Sequence, residues 1–96
     1  MYANKLTLAK IFGVSPPTVY RRIEGIKAEI GTRYNRYAIL DNVVSVAVFA
    51  DYDKYHRQLE DKNLRKYVPE FSPKEASEYM FEKNLEGIRR EKQIEK

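Results

Sequence analysis

Residues 6–24, LTLAKIFGVSPPTVYRRIE, decide how the chain folds. Leu6, Leu8, Ala9, Ile11 and Phe12 recur at helical spacing, which predicts a short helix opened by Asn4 and stopped at Gly13. Ser15 offers a side-chain oxygen to unsatisfied amides, and Pro16 sits at a first helical position, where its missing N–H is no loss. A second helix is expected from Pro16 to about Gly25. Only Gly13 and Val14 separate the two, so the turn between them must be tight. At 100° per residue, Val19, Ile23 and Ile26 fall on one side of the second helix and point inward. Pro17 and Arg21 point the opposite way, Thr18 lies near them, and Tyr20 and Arg22 form the shoulders.

Beyond Gly25 the pattern alternates. Ile26–Gly31 and Arg36–Leu40 read as two short strands joined by a tip at Thr32-Arg33-Tyr34-Asn35. Tyr37 alternates with Arg36 and either packs inward or supports the hairpin. Asp41 reads as a helix cap. The run VVSVAVFA (Val43 to Ala50) is β-branched and short, yet Tyr55 and Leu59 continue a helical stripe, so a helix is expected there. Asp51 and Asp53 are expected to interrupt it. Ser72-Pro73-Lys74-Glu75 is a capping box for a last helix starting at Pro73, with a thin stripe of Ala76, Tyr79, Met80, Lys83, Gly87 and Ile88. The like-charged pairs Glu78–Glu82 and Glu82–Glu86 weaken that helix in isolation, so it needs a surface to lie on. The expected architecture is mainly α with a small β-hairpin. Its division is an N-terminal domain over residues 1–53 and a helical extension over residues 54–96, for packing or oligomerisation.

The chain has 96 residues, one domain's worth, with 43% hydrophobic and 33% charged side chains. That composition fits a globular fold, without the long apolar run of a membrane span. The opening MYANKLTLAK has no basic-then-apolar leader pattern, so a cytoplasmic location is expected. With no cysteine, disulfides, thiolate zinc sites and cysteine nucleophiles are excluded, and with the single histidine, His56, a histidine-rich metal site is not expected. No cofactor is expected. Of the formal net charge of +4, residues 1–40 carry +5 (Lys5, Lys10, Arg21, Arg22, Lys27, Arg33 and Arg36 against Glu24 and Glu29), and residues 41–96 carry −1. A cationic partner-facing surface therefore belongs in the first forty residues.

Two short helices, a tight turn, a basic second helix and a basic hairpin make a helix-turn-helix with a wing. Such a second helix presents a reading face to the major groove of duplex DNA. Arg21 is the candidate for a bidentate guanine contact, Thr18 for a base edge or phosphate, and Tyr20 for specificity. Ser15, with the amides at the helix start, is placed to hold a phosphate. Lys5, Lys27 and Arg22 are expected on phosphates, and Arg33, Tyr34, Asn35 and Arg36 at the wing tip on backbone or minor groove.

The segments LTLAKIFGVSPPTVYRRIE and IGTRYNRYAILDNV (residues 6–24 and 30–43) resemble the winged helix-turn-helix domain shared by MerR-type regulators and phage or transposon excisionases. The resemblance rests on L-x-x-A-x-x-F-G-V-S-x-x-T-V-x-R and on R-Y-N-R-Y-x-I, over roughly residues 4–53. It implies a recognition helix carrying Thr18, Tyr20, Arg21 and Arg22, and a wing formed by Arg33 to Arg36. Pro17 departs from the polar or basic residue usual at its place, and Arg22 stands where an apolar residue is common. The expected absence of an effector domain favours a small architectural or phage-type factor over a metal- or drug-sensing activator. The roles expected are regulation of transcription or assistance in recombination for a phage or mobile element.

Each feature also has a bland reading. A helix pair with a basic surface can be an ordinary packing unit, and Arg22 can pair with Glu24, Glu29 or a neighbour. Most of the eight tyrosines belong to core or half-buried positions, Tyr20 and Tyr34 being the exceptions that suit DNA. His56, amid charges, is a solvated helix residue, and no nucleophile elbow or glycine-rich loop accompanies it, so an enzyme is not expected. The resulting expectation is a sequence-specific binder of double-stranded DNA, acting as a homodimer or on tandem sites. The alternative is a module that binds a host or phage protein without a role on DNA, using the helix beyond Ser72.

Overall fold

The computed structural model describes residues 1–82. It is mainly helical, with a small antiparallel sheet of three strands in the order β1-β3-β2. Strand β1 is Tyr2–Ala3, helix α1 Lys5–Phe12 and helix α2 Pro16–Ala28. Then come a 3-10 turn at Arg36–Ala38, strands β2 (Ile39–Leu40) and β3 (Val43–Ser45), and helix α3 (Val46–Glu60). A second 3-10 turn spans Arg65–Tyr67, and residues 73–82 form helix α4.

The first two helices follow local chemistry closely. Asn4 Oδ1 accepts from the Thr7 amide at 2.9 Å and opens α1. Gly13 closes it at φ 63°, a left-handed conformation that glycine adopts without a side-chain penalty, and the Val14 amide returns to the Ala9 carbonyl at 3.1 Å. Ser15 caps α2 by accepting from the Thr18 amide at 3.4 Å. As expected, Val19, Ile23 and Ile26 are buried, joined by Leu8 and Phe12 of α1. The Phe12 and Phe49 rings meet at 4.8 Å and tie this pair to α3.

Helix α2 does not stop at Gly25. It continues to Ala28, and Gly25 lacks the Cβ that would run into the ring and hydroxyl of Tyr52, so that ring from α3 lies against the α2 backbone. Ile26–Gly31 is therefore not a strand. The chain leaves α2 through a turn in which the amides of Thr32, Arg33 and Tyr34 all converge on the Glu29 carbonyl, at 3.0 to 3.2 Å.

The hairpin lies further along than expected. It pairs Ile39 with Val44 and Leu40 with Val43 around Asp41-Asn42, so Thr32–Asn35 is not its tip. Asp41 occupies this turn at φ 51° and does not cap a helix. The β-branched Val43 and Val44 enter β3, and Ser45 opens α3 by accepting from the Val48 amide at 3.3 Å. Strand β1 adds to the other side of β3, pairing Tyr2 with Ser45 and Ala3 with Val44.

Helix α3 runs unbroken through Asp51 and Asp53, and through residue 53, where the domain division was expected. Both carboxylates are buried and engaged by partners. Ser72 caps α4 as expected, accepting from the Glu75 amide at 3.4 Å. Ala76 of α4 and Leu59 of α3 close the same core as Leu8 and Val19, with Phe71, Tyr79 and Met80 packed against it. The rest of the expected stripe, Lys83, Gly87 and Ile88, and the Glu82–Glu86 pair fall on residues 83–96, outside the described ones.

Candidate nucleic-acid interface

On the solvent side of α2, Ser15, Pro17, Tyr20, Arg21 and Lys27 are exposed and Thr18 is half-buried. A polar chain runs along the first two turns. Ser15 Oγ and Thr18 Oγ1 lie 3.0 Å apart, and Arg21 Nη2 donates to Thr18 Oγ1 at 3.4 Å. Arg21 is thus held by one neutral hydroxyl group, with its charge uncompensated by this contact. Tyr20 is 54% exposed, and the Lys5 ammonium stands 5.2 Å from its ring centroid, bringing the start of α1 beside α2.

The second half of the same face is electrically different. Lys27 Nζ lies 3.4 Å from Glu24 Oε1, an exposed pair on adjacent turns. Across a groove of about 400 Å³ stand Asp41 and Asn42 of the hairpin turn, with Lys5, Tyr20, Glu24 and Lys27 on the helical walls. Two carboxylates therefore flank this half.

Three candidates read from the sequence lie elsewhere. Arg33 is not at a hairpin tip, and its side chain is only 9% exposed. Its Nε and Nη2 donate to the two Asp51 carboxylate oxygens at 2.7 and 2.8 Å, and Nη1 donates to the Pro69 carbonyl at 2.7 Å. Tyr34 is 3% exposed and donates to Asp51 Oδ2 at 2.6 Å while meeting the Phe71 ring edge-on at 5.4 Å. Burial first, and then the Asp51 carboxylate, push the Tyr34 phenol far above its ordinary range, so it stays protonated. Arg22 reaches toward Asp53, Nε to Oδ1 at 3.8 Å, with a side chain 22% exposed, and Tyr79 of α4 donates to the other Asp53 oxygen at 2.7 Å.

Asn35 and Arg36 remain exposed. Asn35 Oδ1 accepts from the Tyr37 amide at 2.8 Å and caps the 3-10 turn. Arg36 lies on its neighbour, 5.0 Å from the Tyr37 ring centroid, with Nη2 donating to the phenol oxygen at 2.8 Å. The sequence reading missed the role of Asp41-Asn42 as the hairpin turn. Its signal was present: two residues that tolerate left-handed backbone, set between the apolar pairs Ile39-Leu40 and Val43-Val44. Also missed were Asp51 and Asp53 as buried partners for cations, while Glu29, offered as a partner for Arg22, pairs with Arg65 instead.

A second cleft, between the 29–35 turn and the segment before α4, is lined by Arg33, Arg65 and Glu70 among others. Its guanidinium groups are already engaged. Arg65 donates to both Glu29 oxygens, at 2.7 and 2.5 Å, while Arg33 is held by Asp51. Hydrogen bonding from Arg65 holds the Glu29 carboxyl below its ordinary value. His56 turns Nδ1 to the Asp53 carbonyl at 3.0 Å. Among the described residues, no group of three His, Asp or Glu side chains is placed to hold a metal ion, and no helix is long and apolar enough to cross a membrane.

Comparison with protein-family models, with curated proteins and with solved structures returns no match to this chain.

Proposed function

We propose that this chain is a winged helix-turn-helix protein that binds duplex DNA in a sequence-specific way, through the first two turns of α2. The observation that carries this reading is the placement of Arg21. It stands on the solvent side of a helix whose opposite side, Val19, Ile23 and Ile26, is buried, and it donates to the Thr18 hydroxyl. A guanidinium so presented suits the paired acceptors of a guanine edge, a contact that contributes about 1–3 kcal/mol of discrimination. Ser15, Pro17, Thr18 and Tyr20 complete the face, and Lys5 beside Tyr20 supplies a cation for a phosphate.

The tight turn at Gly13, the packing of α1 on α2 and the hairpin that follows support the helix-turn-helix assignment. The roles that fit are control of transcription or assistance in recombination, in the manner of a small regulator or excisionase from a phage or mobile element, within the cytoplasm. So small a surface makes few base contacts, so binding as a homodimer or on tandem sites is part of the proposal.

Selection of bound duplexes from a random-sequence pool tests it. Recovery of a common motif by the wild-type chain, lost with Arg21→Ala, supports the reading. Failure of the wild-type chain to retain any duplex at low salt overturns it.

A further inference from the structure

We infer that the DNA contact is confined to Lys5 and the first two turns of α2, Arg21 included, and that the hairpin turn at Asp41-Asn42 lies outside it. This inference rests on the DNA-binding reading above and goes beyond it by fixing which parts of the surface take no part.

Four observations converge on it. The residues that would have made a cationic wing tip are committed elsewhere: Arg33 and Tyr34 are buried on Asp51, and the Asn35 carboxamide caps a 3-10 turn. The turn that does form the tip is Asp41-Asn42, which carries a carboxylate and no cation. That turn lies alongside α2, lining one groove with Tyr20, Glu24 and Lys27, so a duplex laid on the whole length of α2 would bring phosphates toward it. In the same groove Lys27 lies 3.4 Å from Glu24, so these two charges offset each other and leave Asp41 as the charge on the turn.

Double-stranded DNA carries one negative charge per about 1.7 Å of axis, so an exposed carboxylate entering a phosphate-lined groove is repelled. The first two turns of α2 present no acidic side chain, whereas the flank beyond them presents Glu24 and Asp41 around the single cation Lys27. The geometry favours an end-on approach of α2 into the major groove, with the hairpin outside. Arg36, stacked on Tyr37, serves that local turn and is not a second anchor.

The test uses the full chain and a fluorescent duplex carrying the motif recovered by selection. Replacing the guanines of that motif by 7-deazaguanine removes the major-groove N7 acceptor and is expected to weaken binding about tenfold or more. Asp41→Asn removes the charge while keeping a residue that tolerates the left-handed turn, and Arg36→Ala removes the guanidinium; each is expected to leave affinity within about threefold. Circular dichroism establishes that both variants are folded.

A larger gain with Asp41→Asn or a larger loss with Arg36→Ala overturns this inference while leaving DNA binding itself standing, whereas indifference to 7-deazaguanine removes the guanine contact of Arg21 on which it rests. Absence of binding by the wild-type chain removes the underlying reading, and this inference with it.

Discussion

Arg33 and Asp51 meet as a two-pronged pair, Nε to Oδ2 at 2.7 Å and Nη2 to Oδ1 at 2.8 Å, with both side chains almost wholly withdrawn from water. The pair joins the turn after α2 to the middle of α3, and Tyr34 adds a third donor to the same carboxylate. Removing one partner of such a pair leaves a charge without solvent or counter-ion, which typically destabilises by about 3–5 kcal/mol. Asp51→Ala is therefore expected to lower the unfolding free energy by about that amount, measured by denaturant titration. The double variant Arg33→Met with Asp51→Leu should be closer to wild type than Asp51→Ala, because no charge is then stranded. If Asp51→Ala unfolds at the wild-type denaturant concentration, the pair is not the anchor described here.

Gly25 and Tyr52 form a second joint. A Cβ at position 25 would overlap the Tyr52 ring, so Gly25→Ala is expected to destabilise by about 1–3 kcal/mol, although alanine is the better helix former. Combining it with Tyr52→Leu should be less damaging than the two changes summed, since each removes the reason for the other. Strict additivity in thermal unfolding would show that the ring does not rest on α2 in the way described.

Acid should loosen the turn that joins α2 to the hairpin. The Arg65 hydrogen bonds hold the Glu29 carboxyl below its ordinary value of 4.5, so the unfolded chain takes up this proton first as pH falls. The sign follows: the stabilisation is fully present above pH 4.5 and is lost as pH drops through the lower, folded value. Arg65→Gln is expected to be less stable than wild type at neutral pH, with the difference shrinking in acid. Denaturant titrations at a series of pH values measure it, and a difference that grew in acid would refute the assignment.

Much of the fold could be read from local chemistry. Asn4, Gly13 and Ser15 act within a few residues of themselves, so the bounds of α1 and the start of α2 were legible, as was the inward stripe Val19, Ile23 and Ile26. What failed depended on partners far along the chain. Gly25 reads as a stop until Tyr52, 27 positions later, is known to rest on it. Arg33 and Tyr34 read as a solvent-exposed tip until Asp51 is known to claim them, and Asp51 reads as a helix breaker for the same reason. The asymmetry of charge between the two halves was real in the sequence. Part of it is cancelled in space, because acids of the second half reach the arginines of the first.

The surface and interior roles of adjacent arginines offer a further separation. Arg21 faces solvent and touches Thr18, whereas Arg22 turns toward buried Asp53. On the proposed function, Arg21→Ala should leave stability within about 0.5 kcal/mol of wild type, as for an exposed substitution. It should weaken binding to the selected duplex about tenfold to a hundredfold, and reduce its preference for guanine. Arg22→Ala should do the reverse. It removes a cation from beside Asp53, an effect of about 1–3 kcal/mol on unfolding, and leaves base preference unchanged. Parallel denaturant titrations and fluorescence-anisotropy binding curves resolve the two. Interchanged results, with stability falling on loss of Arg21 and base preference on loss of Arg22, would mean that α2 presents a different face to DNA than the one built here.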